Sequence, residues 1–243
     1  MVYINKYEKQ VNRDVELWQK KMLKHPSIIS RVTKKVQEKI NNIIPEKVHN
    51  AITVAIKQMV RGVLFGAGVT TNKPLENSTL EVREARIIER VEFYKKTAAA
   101  EGGITGAGGF VLALADFPIL LSIKIKMLFD IASLYGFDTN DYKERLYLLH
   151  IFQLAFSSRE KGREVFLKLQ NWEQQEHLLP TNINEFDWQS FQQDYRDYID
   201  IAKLAQLIPF IGAAVGLVAN YKLLQKLGNT AMNAYRMRLI VNK

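Results

Sequence analysis

GGITGAGGFVLALADFPILLSIKIKMLFDIASLY, residues 102–135, is the stretch around which the chain is organised. Five of the thirteen glycines of the chain fall within its first eight residues. An isolated glycine weakens a helix by about 1 kcal/mol relative to alanine, so a run of them calls for a use. Gly102, Gly106, Gly109 and Ala113 fall on one helical face. Gly103 lies beside them, and small residues at that spacing let a second backbone come close. A shorter echo, PFIGAAVGLVANY at residues 209–221, sets Gly212, Gly216 and Asn220 on one face in the same way. Packing these two faces together is the simplest use of both.

Residues 102–123 contain a single charge, Asp116. Twenty-odd such residues are long enough to span a bilayer. The mid-run Asp116, the Pro118 that follows and the weakly hydrophobic glycine half argue against a simple span. Asp116 reads as an N-cap, with Phe117 and Pro118 opening a helix over 117–135. The other reading makes Asp116 a functional acid within the membrane. Gly136 then closes that helix as a left-handed residue.

Working outward, the rest of the chain also reads as helix. Ile4, Val11, Val15, Trp18 and Met22 recur at helical spacing among lysines and arginines. That makes residues 3–24 a basic amphipathic helix, which either lies on a membrane or packs on a core. Ser27 caps a second helix, and Pro45 opens a third that ends near Gly66 and Gly68. Ser78-x-x-Glu81 is a capping-box pattern opening a charged helix to about Thr97. Asp138 or Thr139 caps the next helix, to about Phe156. Ser157-x-x-Glu160 opens another, to about His177. A helix over 188–207 precedes the echo, and a basic helix carrying Arg236 and Arg238 finishes the chain. No alternating strand pattern occurs. The expectation is an all-α bundle of about eight to ten helices in one domain over 1–243. Basic amphipathic helices fill 1–44, the glycine-rich core 98–135, and the second glycine-faced helix with the basic end 209–243.

Charge is uneven. Residues 1–50 carry 11 Lys/Arg against 5 Asp/Glu, and residues 221–243 carry 5 against none, within a net charge of +9. Cationic ends suit an anionic partner. Lys20, Lys21, Lys34, Lys35, Arg236 and Arg238 are the candidates for anionic-lipid contact. No aromatic-interleaved basic run or nucleic-acid module appears, so nucleic acid is not an expected partner. The first residues lack an apolar signal segment, and a secretory leader is not expected.

Motifs for chemistry are few. The chain has no cysteine, which excludes disulfides, Cys-ligated zinc and thiol catalysis. His25, His49, His150 and His177 are scattered, without metal-ligand spacing, and no cofactor is expected. His150 on an apolar helix reads as a packed core residue. The glycine run follows a helix and lacks the Lys-Ser/Thr of a phosphate loop. Ser122, Asp116 and His150 can be grouped as a hydrolase triad only by imagination, since geometry defines a triad. Asp194 and Asp197 fall on a polar, solvated face.

Taken with the C-terminal IPFIGAAVGLVANYKLLQKLGNTAMNAYRMR and the Ala-Asp-Phe-Pro and Tyr-Gly-Phe-Asp pieces, residues 102–138 give the chain a resemblance to the EcsC family of bacteria. That family is named for a protein encoded beside the two components of an ABC exporter, in an operon tied to secretion and competence. The resemblance implies a neighbourhood more than a mechanism, with ABC transporter subunits as partners. With the basic ends and glycine-faced helices, the expectation is a non-enzymatic, membrane-associated accessory protein on the cytoplasmic face. It brings no catalytic residues. Two alternatives stand beside it: a helical hydrolase with a pocket near Asp116, and a soluble cytoplasmic interaction module whose glycine faces are internal.

Overall fold

A computed structural model describes residues 6–24, 54, 56–63, 74–75, 77–107, 117–174 and 212–241. Among these the chain is all helical and has no strand. The helices are α1 (Lys6–Leu23), α2 (Leu80–Ala107), α3 (Phe117–Tyr135), α4 (Tyr142–Phe156), α5 (Arg159–Gln170) and α6 (Gly212–Val241). A further helical segment covers 56–63. No helix of the described residues is long and apolar enough to cross a membrane.

Local chemistry sets the helix ends. The N-cap of α2 is Thr79, whose Oγ1 accepts from the Val82 amide at 3.4 Å. Ser78, the expected cap, instead gives its carbonyl to Arg83 Nε at 3.1 Å. The reason is register: an N-cap side chain bonds the third helical residue, and Val82 is third from Leu80. The expected stop near Thr97 is also corrected, because α2 continues through Gly102, Gly103 and Gly106 to Ala107.

α3 begins at Phe117 and ends at Tyr135, as its pattern predicts. Gly136 follows at φ +96°. Its amide bonds Ser133 O at 3.0 Å, and the Phe137 amide bonds Ala132 O at 3.0 Å. These are the paired bonds of a Schellman stop, which needs a left-handed residue at that point. α4 is capped by Asp141, which accepts from the Lys143 amide at 3.0 Å. Asp138 is used earlier, closing a turn on Asn140 at 2.9 Å. Likewise Ser158, not Ser157, caps α5, and that helix ends at Gln170 rather than near His177. Ser157 is taken up as the C-cap of α4, its amide on Gln153 O at 2.8 Å.

Burial shows where the core sits. In α4, Leu146, Tyr147, Leu148, Leu149, Ile151 and Phe152 are all buried, so the helix is enclosed on nearly every side. α3 adds Met127, Leu128, Phe129, Ile131 and Ala132. α1 packs through Val11 and Val15, with Trp18 edge-on to Phe166 of α5 at 5.4 Å. The long α6 touches all five other helices. Against α2 it runs antiparallel. Asn220 Nδ2 donates to Ala98 O at 3.2 Å. Eight residues on, a Cβ at Gly228 would lie 2.8 Å from Val91 Cγ1. Eight further, Arg236 meets Glu84. Glycine at 228 is what permits this close approach.

Candidate functional site

The inward face of α2 reads Glu84, Ile87, Val91, Tyr94 and Ala98, all buried at helical spacing. One of these is a carboxylate, and α6 supplies its counter-charge. Arg236 Nε donates to Glu84 Oε1 at 2.8 Å, and Nη2 donates to Oε2. The hydroxyls of Tyr135 (3.0 Å, to Oε1) and Tyr7 (2.6 Å, to Oε2) complete the set. Both oxygens of a fully buried carboxylate are thus taken twice. Partial burial, and then Glu84, push the Tyr7 phenol up to about 12.

A second buried acid repeats the arrangement one helix away. Glu144 accepts from the Tyr235 hydroxyl at Oε1 and from Arg238 Nη1 at Oε2, 2.6 Å. Arg238 Nε also donates to Glu173 at 2.8 Å. The guanidinium lies 4.3 Å from the ring centre of Phe137 and 4.8 Å from that of Tyr147. Burial holds the Glu144 carboxyl above the usual carboxylate range, even against the pull of Arg238. Tyr235 stacks on Tyr135 at 5.3 Å and so links the two clusters.

Glu84 and Glu144 tie α6 to α2 and α4 at fixed positions, since a buried charge left unpaired is costly.

The third buried acid opens onto the surface. Asp130 of α3 accepts from Tyr94 Oη (2.7 Å) and Lys126 Nζ (2.7 Å), with Arg90 Nε 3.6 Å from Oδ2. It forms the floor of a groove of about 440 Å³ between α2 and α3. Arg86, Arg90 and Phe93 form one wall, Ser133 and Leu134 the other.

The residues singled out in the sequence fare differently. Arg236 and Arg238, expected at a lipid surface, are turned inward, with side chains 15% and 14% exposed. Their charge is already matched by Glu84, Glu144 and Glu173. Lys20 and Lys21 are exposed on the last turn of α1. Gly102, Gly103 and Gly106 lie in the last turns of α2, Gly212 and Gly216 in the first turns of α6. Asn220 is buried and bonds across to α2. Pro118 is exposed in the first turn of α3. Gly109, Asp116, Lys34, Lys35, Asp194, Asp197, His25, His49 and His177 lie outside the described residues.

Of the imagined triad, the Ser122 hydroxyl is exposed and donates to Pro118 O at 2.8 Å. His150 Nδ1 is bonded to Leu146 O at 2.8 Å, and its ring meets Trp172 edge-on at 5.4 Å. Each is engaged by the preceding turn of its own helix. No group of three or more potential metal ligands occurs among the described residues.

Glu84, Glu144 and Asp130 were missed as site residues. The signal was present for Glu84: it lies three and seven residues before Ile87 and Val91, on the apolar face, although neighbouring charges made the helix look solvated.

These features define an all-helical protein whose last described helix is clamped by buried acid–arginine pairs beside an open, charged groove. The chain belongs to the EcsC protein family, whose profile matches residues 9–240. It is 46% identical to Protein EcsC of Bacillus subtilis (strain 168) over 225 residues, 92% of each chain. It is 30% identical to Uncharacterized protein YdbA of the same organism over 146 residues, 60% of this chain and 54% of that one. No solved structure matches it.

Proposed function

We propose that this protein is a non-catalytic accessory protein that rests on the anionic cytoplasmic face of the cell membrane and works beside an ABC transporter. The observation that carries the reading is the outer face of α1. Lys6, Lys9, Arg13, Lys20 and Lys21 are exposed on α1, with Lys24 just past its end, around Leu17 at 58% exposure; they outnumber the exposed acids Asp14 and Glu16. With Arg236 and Arg238 matched internally, α1 becomes the main cationic surface among the candidates. Each Lys or Arg near an anionic surface adds about 1 kcal/mol of attraction. The transporter as partner rests on the family resemblance alone.

The glycine faces belong to the same proposal. The α2–α6 register advances eight residues of α6 for seven of α2. Extrapolated past Asn220 and Ala98, the same advance would bring Gly216 near Gly102 and Gly212 near Gly106, which supports the reading. In this reading the two ridges close the end of the bundle.

Vesicle sedimentation tests the electrostatic part. Binding should require anionic lipid, fall with salt, and weaken in Lys20→Glu/Lys21→Glu. Equal partition onto neutral and anionic vesicles overturns it.

A further inference from the structure

The groove between α2 and α3 is not used by the clamp or by the cationic face of α1. Its wall repeats along one side of α2: Arg86, Arg90 and Phe93 are successive neighbours at i, i+4 and i+7. Arg86 is exposed and has no ion pair or hydrogen bond to any described residue. Arg90 is 44% exposed, and its Nε stands 3.6 Å from Asp130, beyond hydrogen-bond reach. Asp130 does not need it, because Lys126 and Tyr94 already donate to its two oxygens at 2.7 Å each. Two guanidiniums with donors to spare therefore share one helix face. Asp130 is the acid nearest Arg90, and Glu89 also lines the groove, but Arg86, a turn away, has no ion pair among the described residues. Beside them Phe93 is 54% exposed, a large apolar ring held in water at the edge of the groove. Leu134 continues that apolar surface on the α3 side. The volume of about 440 Å³ is that of a small-molecule site.

We propose that this groove binds a small phosphate-bearing amphiphile, with the phosphate between Arg86 and Arg90 and its apolar part on Phe93 and Leu134. Planar guanidinium forks suit a tetrahedral oxyanion, which offers oxygens to both. A phospholipid headgroup and a soluble phosphate ester share this chemistry. Glu89, which is exposed, and Asp130 on the floor also line the groove; both carboxylates oppose the anion and tune affinity downward.

Titration calorimetry on the full chain tests this with three probes: inorganic phosphate, phenyl phosphate, and dihexanoyl phosphatidylglycerol below its micelle concentration. Saturable binding is expected, tighter for the two probes with an apolar part than for inorganic phosphate. Preference for the lipid over phenyl phosphate identifies a headgroup site, and parity identifies a soluble ester site. Arg86→Gln should weaken binding about tenfold, the loss of one charge-assisted contact. Glu89→Gln should tighten it, an opposite shift that a merely structural role does not produce. Both positions are exposed, so unchanged melting temperatures confirm folding. Absence of saturation by all three probes, or wild-type affinity in Arg86→Gln, overturns the proposal. The variant Lys20→Glu/Lys21→Glu should keep full affinity for phenyl phosphate, so this site and the membrane reading fail independently.

Discussion

Replacing Arg236 by methionine tests the clamp directly. The change keeps most of the apolar stem and removes the guanidinium. Glu84, fully buried, then loses two of its four hydrogen bonds and its counter-charge, keeping Tyr7 and Tyr135. Breaking a buried pair from one side costs about 3–5 kcal/mol. The two remaining tyrosine donors place the loss near the lower end, about 3 kcal/mol. For a chain of this size that lowers the melting temperature by about 6–12 °C. Adding Glu84→Gln removes the stranded charge while leaving a carbonyl oxygen to accept from one tyrosine and an amide NH2 that can donate to the hydroxyl oxygen of the other. The double variant should therefore recover a substantial part of the loss, a coupling expected only of groups in contact. Thermal melts followed by circular dichroism, with Lys20→Ala as the exposed control, decide the matter. If Arg236→Met melts with that control, or if the effects of Arg236→Met and Glu84→Gln simply add, the clamp is misread.

Acid should weaken the fold through His150. Burial lowers its folded value to about 4, below the ordinary 6.5, so the unfolded chain binds the extra proton first. Stability from this group is complete above about 6.5 and is lost as pH falls toward about 4, by at most about 3 kcal/mol. Glu144, held high by burial, works in the opposite direction at the acid end. The comparison with His150→Gln isolates the histidine: chemical denaturation across this range should show a flatter acid limb in the variant, and an unchanged limb refutes the assignment. At Gly228, alanine should destabilise despite its better helix propensity, because its Cβ would stand 2.8 Å from the stiff Val91 side chain. Val91→Ala in the same chain should relieve the clash, and simple additivity of the two melts counts against it.

Much of the architecture was legible from periodicity and stops. The bounds of α3 followed from the apolar run and Gly136, because one residue type suits a left-handed stop. Cap positions were less legible. Adjacent candidates such as Ser78 with Thr79, and Ser157 with Ser158, differ only in which amide lies three residues on, and that depends on where the helix starts. The polar core was the least legible. Charges at Arg236 and Arg238 read as surface because no local pattern reveals a partner about 152 positions away, the separation of Arg236 from Glu84. The same distance hid Glu84 itself, whose place on the apolar face of α2 was the one local clue.

That long reach has a consequence for how the protein is made. Glu84 and Arg236 leave the ribosome far apart in time, and so do Glu144 and Arg238. Until α6 emerges, the nascent chain holds two carboxylates that have to stay hydrated and greasy surfaces on α2 and α4 that have nothing to cover them. Final consolidation therefore waits for α6, and the half-made polypeptide is a natural client for chaperones.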